Sequence, residues 1–304
     1  MNMSTIQLNH PCNEKRFVIG NGYFQLNNQI IREWNNDTLP NGKQPHYRKF
    51  IRNNGEFIGN LVSKPQSGNL LFWGEWEGYS FFTPINNGIG IPNGIHEPFH
   101  SIAVRGFQNT DPYIFGDFFK YAICSQKGIM CNLQNGSLIL FGTTTNIGFL
   151  LDTVFVVKTH ETATTIFTNN AANYTNVYRE ETLEQLGNTY LGPNPSTKNK
   201  IYQSQTWWDC NNYFSFVPCK IDSSNCYSKA ILNFSWFSKC KVGHPYNHFN
   251  NRKSIDIWKD IVDSVLKQGF LLGVKFDEPN TSNLMMTNNN QPITKAKKQA
   301  GSKC

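Results

Sequence analysis

Hydrophobic positions along this chain fall mostly into short runs broken by Gly, Asn and Pro, a pattern of many short strands joined by turns. RFVIG (16–20), GEFIGNLV (55–62), NLLFWGEWEGYSFF (69–82), HSIAVRGF (100–107), YFSFVPCKI (213–221), KAILNFSWFS (229–238) and FLLGVKF (270–276) read as strands. The clearest β signal is GSLILFG (136–142) followed by TTTNIG (143–148) and FLLDTVFVV (149–157), a buried hairpin with a loop slightly longer than the tightest kind. SIDIWKDIVDSVLKQG (254–269) carries apolar residues at helical spacing, with Ser254 placed to cap it and Gly269 to close it. A second, short helix is expected within REETLEQLGN (179–188). TPINNGIGIPNGIHEP (83–98) has the composition of a long loop. Regular alternation of strands and helices is absent. The expected class is therefore β-rich α+β, a mixed sheet or partly closed barrel with few helices. Residues 1–15 are polar and expected to be flexible. Residues 16–278 form one β-rich domain with a candidate subdivision near 160–200, and 279–304 a disordered basic tail.

Composition sharpens this picture. Aromatics make up 14% of the 304 residues, too many for a disordered chain, while charged residues are only 16%. The net charge is +7, and Lys295, Lys297, Lys298 and Lys303 supply four of those charges in a tail without acids after Glu278. A basic tail on a mildly basic body suits an anionic partner such as nucleic acid. No apolar run approaches the length of a membrane span and the N-terminus lacks a signal-peptide pattern, so a cytoplasmic location with eight reduced cysteines is expected.

No phosphate-binding glycine motif, G-x-S-x-G, C-x-x-C or H-E-x-x-H occurs. Cys219, Cys226, Cys240, His244 and His248 have irregular spacing, and neither a metal nor a cofactor is expected. The chemistry must come from side chains. In FWGEWEG, read as a strand, Trp73, Glu75 and Glu77 share one face, with the carboxylates about 7 Å apart, while Trp76 stands between Gly74 and Gly78 as an open indole. A carboxylate beside an aromatic wall suits acid–base work at a glycosidic bond, and Glu75, Glu77 and Asp117 are the catalytic candidates. An edge strand with solvent-facing glutamates and core tryptophans is the alternative. His96, within the 83–98 loop, and His100, just past its exit, suit proton relay or a hold on phosphate beside the base. Phe107, Tyr113 and Phe115, interleaved with Arg105 and Lys120, suit stacking on bases and contact with phosphates. TWWDCNNYF (206–214) brings Asp209 into a second aromatic cluster, placed either in the same cleft or in the core. Asp152, inside the apolar FLLDTVFVV, must be hydrogen-bonded, paired or protonated.

GSLILFG…GFLLDTVFVV resembles the hairpin of PUA-like domains, which include the EVE and ASCH families, over about 22 residues, with Ser137 where an aspartate is usual. Together with FWGEWE and GDFFKYAICSQ the chain also looks like bacterial proteins associated with nucleotide modification and phage defence. The resemblance implies recognition of a modified base flipped from DNA, and among such proteins a DNA N-glycosylase that excises it. A non-catalytic reader of a modified base or nucleotide, and a protein-interaction module, are the competing expectations.

Overall fold

A computed structural model describes residues 3–10, 23–26, 28–32, 47–85, 92–101, 110–122, 126, 128–162, 174–183, 200–222, 227–238, 241–247 and 252–282. The described chain forms fifteen strands: β1 (Thr5–Asn9), β2 (Tyr23–Leu26), β3 (Gln29–Arg32), β4 (Lys49–Ile58), β5 (Gln66–Gly74), β6 (Ser80–Pro84), β7 (Gly94–Pro98), β8 (Lys120–Tyr121), β9 (Leu138–Thr145), β10 (Gly148–Thr162), β11 (Lys200–Ser204), β12 (Val217–Ile221), β13 (Ala230–Leu232), β14 (Pro245–Asn247) and β15 (Leu271–Phe276). A single helical turn, α1 (Asn176–Tyr178), runs into a π-helical turn over Arg179–Leu183, and α2 spans Ser254–Lys267.

The strands form two mixed sheets. The first runs β14-β1-β9-β10-β11-β8, with β13 also on β10; the second runs β15-β12-β5-β4-β7-β6-β3-β2. Pairing of β15 with β4 closes β4, β5, β12 and β15 into a small four-stranded barrel. The β-rich α+β class with a mixed sheet and a partly closed barrel is the fold observed.

The hairpin β9–β10 shows why its sequence is so uniformly apolar. Ile139 and Phe141 pack with Phe155, Ile51 and Phe72 between the sheets, while Leu138 and Leu140 pack with Val154, Val156 and the helix residues Trp258 and Ile261 on the opposite face. A strand covered on both sides needs apolar residues at every position rather than at alternate ones. Its turn is tighter than expected, only Asn146 and Ile147 separating the strands.

Helix α2 presents Ile257, Trp258, Ile261, Val262 and Val265 to that second core, and Gly269 (φ +74°) follows its end. Ser254 does not cap it. The capping position falls on Lys253, and the Ser254 hydroxyl instead accepts a hydrogen bond of 2.9 Å from Thr5.

Three other expectations change. Thr5–Asn9, within the stretch read as flexible, is a buried strand parallel to β9, because Ile6 and Leu8 enter the inter-sheet core. Gly94–Pro98, read as loop, is strand β7 paired with β6. Residues 279–282, assigned to the tail, are held by backbone bonds to His100, from His100 N–H to Asn280 and from Ser282 N–H to His100. The strand read at 16–20, most of that read at 100–107, and residues 283–304 lie outside the described residues.

Candidate functional site

The stretch LFWGEWEGYS is not one strand. β5 ends at Gly74, β6 begins at Ser80, and the chain turns inward between them. The cause is Trp76. Its indole is fully buried against Tyr113 and Phe115, and its ring N–H donates to the Tyr79 carbonyl at 2.7 Å. The Lys49 ammonium donates to the Trp76 carbonyl at 2.6 Å. Gly78 is required by the same turn, since a Cβ there would lie 2.5 Å from the Trp76 ring. The strand alternation that placed Glu75 and Glu77 on one open face, and Trp76 as a free platform, therefore does not hold.

Glu75 belongs to a sealed ionic junction between the sheets. Arg48, just before β4, donates from Nη1 to Glu75 Oε2, and its Nε lies 3.4 Å from Asp152 Oδ2. Lys229 donates to Asp152 Oδ1 at 2.5 Å and stands 5.1 Å from the centre of the Trp73 ring. His10 Nδ1 is 3.9 Å from Glu75 Oε2. Every one of these charged side chains is at most 4% exposed. Asp152 reaches the junction because β10 is bulged between Leu151 and Thr153, which redirects one residue out of the alternation. Two acids alternate with two bases, so each buried charge has an opposite neighbour, the arrangement that offsets desolvation. Of the three states open to Asp152, hydrogen-bonded, paired or protonated, the fold provides ion pairs, and the Glu75 carboxylate faces Arg48 and His10. Glu77 is likewise buried, its backbone N–H donating to Thr110 Oγ1 at 2.9 Å.

The candidate base-binding residues are also interior. Trp73 packs on Phe50 and donates its indole N–H to the Tyr227 carbonyl at 3.0 Å. Tyr113 and Phe115 are fully buried. His96 is buried with Nδ1 3.0 Å from Ser80 Oγ. His100 lies between Glu181 (2.8 Å from Nδ1) and Glu180 (3.0 Å from Nε2), both carried by the π-helical turn. Aromatics and histidines interleaved with charges suit a binding surface as sequence; in the fold these rings and imidazoles fill the core. Lys120, assigned to phosphates, is buried as well. Arg105 and Phe107 lie outside the described residues. Cys219 is a core residue, and burial pushes its thiol well up.

Asp117 differs from Glu75 and Glu77. Its side chain is 85% exposed, pairs with Lys275 at 3.0 Å, and lines an open cleft of about 220 Å³ with Phe118, Lys158, Gln203, Ser204, Thr206 and Asp209. Strand pairing builds this cleft. β8 pairs with β11 through Gln203↔Lys120, and Phe119 and Ser204 exchange bonds of 2.9 Å, which sets Asp117 and Phe118 over the end of β11. A second bulge in β10, between Val157 and Thr159, frees Lys158 to reach Asp209 at 2.7 Å. The turn Thr206–Asp209 is closed by Asp209 Oδ2, which accepts from the Thr206 N–H (3.0 Å) and hydroxyl (2.9 Å). Partial burial works to raise the Asp209 pKa, but the bonds from Lys158 and Thr206 outweigh it and hold the carboxyl below its ordinary value. Trp208, in the same turn, is 49% exposed and lies 6.0 Å from Lys275 Nζ.

The second aromatic cluster thus contributes to the cleft through Thr206 and Asp209, while Tyr213 and Phe214 of the same stretch are core. Gln203, Ser204, Lys158 and Lys275 had no local signal, because strand register and bulges far apart in the chain bring them here. Chemically the cleft offers carboxylate, amide and hydroxyl partners beside the Phe118 ring, in a volume suited to a single ring system rather than to a drug-sized ligand. No metal-binding group of three or more His, Cys, Asp or Glu side chains occurs among the described residues. No helix among the described residues is long and apolar enough to cross a membrane. Comparison with family models, curated proteins and solved structures finds no match.

Proposed function

We propose that the protein binds nucleic acid and takes one unpaired or flipped base, in the first place a modified one, into the cleft beside Asp117. The supporting observation is that Asp117, Asp209 and Gln203 line an open cleft while every described aromatic first assigned to the base is sealed in the core. Ionised carboxylates accept from the exocyclic N–H groups of a base, the Gln203 amide both donates and accepts, and Phe118 and Trp208 offer faces for stacking. Lys158 and Lys275, half-exposed and shared with the two aspartates, and the basic chain as a whole supply the sequence-independent attraction to phosphate. The resemblance to proteins of nucleotide modification and phage defence points to the same class of ligand.

Binding is tested by fluorescence anisotropy with single- and double-stranded oligonucleotides carrying ordinary or modified bases. Affinity is expected to fall with added salt and to drop on Trp208→Ala. Absence of binding to every oligonucleotide at low salt rejects the proposal and favours the protein-interaction reading.

N-glycosidic hydrolysis is a second reading, favoured by the exposure of Asp117, which pairs with Lys275 and lines the cleft. There it would stabilise the sugar cation as the base departs. Mass spectrometry of bases released from modified DNA decides between them: free base lost on Asp117→Asn supports catalysis, and binding without release leaves a reader.

A further inference from the structure

We propose that Lys229 and Asp152 condense after folding into an isopeptide bond, a covalent tie between β10 and the residue preceding β13. No ligand of the cleft is involved. Strand register sets the two side chains together. β13 pairs with β10 through Ile231↔Leu150 and Ala230↔Leu151, so the next step of the same ladder brings Lys229 opposite Asp152. The bulge in β10 falls at that residue and turns its carboxylate into the junction. Lys229 Nζ stands 2.5 Å from Asp152 Oδ1, with the two side chains 3% and 1% exposed.

Reach is the first requirement of the bond. An amine and a carboxyl group held in contact by a fold react as though at an effective concentration of about 10⁵–10⁸ M, which offsets the low reactivity of an unactivated carboxyl group. Dryness is the second. The Lys229 nitrogen lies 5.1 Å from the centre of the Trp73 ring, which packs on Phe50. Charges are costly in such a setting, and a desolvated lysine is a nucleophile suited to carbonyl carbon. The same exclusion of solvent slows the reverse hydrolysis. A donor for the developing oxyanion is the third, and Arg48 Nε lies 3.4 Å from the other carboxylate oxygen, Oδ2.

The ion pair is the reactant state. Reaction begins as the proton shared along the hydrogen bond passes from Nζ to Oδ1, leaving an amine beside a carboxylic acid. The nitrogen lone pair adds to Asp152 Cγ, and the charge formed on Oδ2 meets the Arg48 guanidinium. The Cγ–Oδ1 bond then breaks. Oδ1 leaves as water, carrying the proton it had received and a second proton from the attacking nitrogen. One ammonium and one carboxylate become one amide and one water, with no change of oxidation state and no co-reactant. The remaining charges still match, because one acid and one base are consumed together and Glu75 keeps its bond from Arg48. The product closes residues 153–228 into a loop that carries β11 and the Thr206–Asp209 turn of the cleft.

The test is the intact mass of the full chain, measured unfolded and reduced after folding and prolonged incubation at neutral pH, and then a tryptic map. Most molecules are expected to be lighter than the sequence by one water. The map is expected to contain one branched peptide that joins the segments of Asp152 and Lys229 and is uncut after Lys229. Lys229→Arg, which keeps the charge but offers no amine, is expected to have its full sequence mass. Wild type at full sequence mass, with trypsin cutting after Lys229, overturns the proposal. A loss of water that maps to any other residues overturns it too. Both measurements are made on wild type, so they stand even if Lys229→Arg fails to fold.

Discussion

Glu75 and Asp117 are both carboxylates with cationic partners, and the fold gives them opposite settings. Glu75 lies between the two sheets, bonded to Arg48, with no more than 4% of any side chain in its junction reaching solvent. Asp117 stands at the rim of an open cleft with Lys275, 85% exposed. An ion pair in the interior must be complete because each charge has given up its water, whereas one at the surface contributes little to stability and can be exchanged for a ligand. The junction is therefore sensitive to loss of any one member, and the cleft is where a carboxylate stands open to solvent. Substitutions on the two sides should separate stability from binding.

The largest effect is expected at the junction. Arg48→Met removes the cation shared by Glu75 and Asp152 from the buried junction, a loss of about 3–5 kcal/mol in denaturant unfolding. Replacing Arg48 with no measurable loss would mean that water reaches the junction. Trp76→Ala, which empties the turn after β5, should cost a similar ~3–5 kcal/mol, while Trp208→Ala at the cleft should stay within about 0.5 kcal/mol of wild type. Equal losses at the two tryptophans would erase the distinction between core and cleft.

These contrasts also show which parts of the molecule were legible in the sequence. Helix α2 and the hairpin β9–β10 were, because their patterns are local: helical spacing from Ile257 to Val265, and apolar runs with a short turn between. That Asp152 must be hydrogen-bonded, paired or protonated was legible from its apolar neighbours, but its partners Arg48 and Lys229 were not, since nothing local links residues 48, 152 and 229. The break at Gly74 was hidden because W-G-E-W-E-G satisfies strand alternation; only the packing of Trp76 against Tyr113 and Phe115 overrides it. The cleft was half visible. Asp117 and Asp209 each stood out beside aromatics, but the register Gln203↔Lys120 and the bulge that frees Lys158 depend on pairing across some eighty residues and on a two-against-one irregularity with no composition of its own.

A smaller effect comes from Lys120, which shares the burial of the junction and the neighbourhood of the cleft. Its folded pKa, about 8, lies below the ordinary 10.5, so between those values the unfolded chain holds more protons and stability rises with pH. From pH 7.5 to 9 the gain is about 1 kcal/mol. Buried tyrosines and Cys219 act in the opposite sense, their raised pKa values withdrawing stability as pH climbs past the unfolded values. The measurement is accordingly the wild-type unfolding free energy minus that of Lys120→Met across this range. A difference that does not change with pH would place the Lys120 amine in contact with water.

The smallest stability effect, at Asp117, bears most directly on function. Asp117→Asn keeps the shape of the side chain and removes its charge, so the exposed pair with Lys275 is weakened at a cost of about 0.5 kcal/mol or less. Loss of this partner should lower the Lys275 pKa, which the Asp117 hydrogen bond now holds above its ordinary value. Two outcomes for ligand then follow from how the cleft works. If Asp117 accepts a hydrogen bond from a base, the amide still offers an oxygen, and affinity should fall by about tenfold without vanishing. If the charge itself stabilises a sugar cation, base release should stop while affinity changes far less, because the charge matters only as the bond breaks. Equal stability, affinity and release in Asp117→Asn and wild type would remove Asp117 from the site and leave the cleft to Asp209, whose ties to Lys158 and Thr206 fix it in place whether or not a ligand is bound.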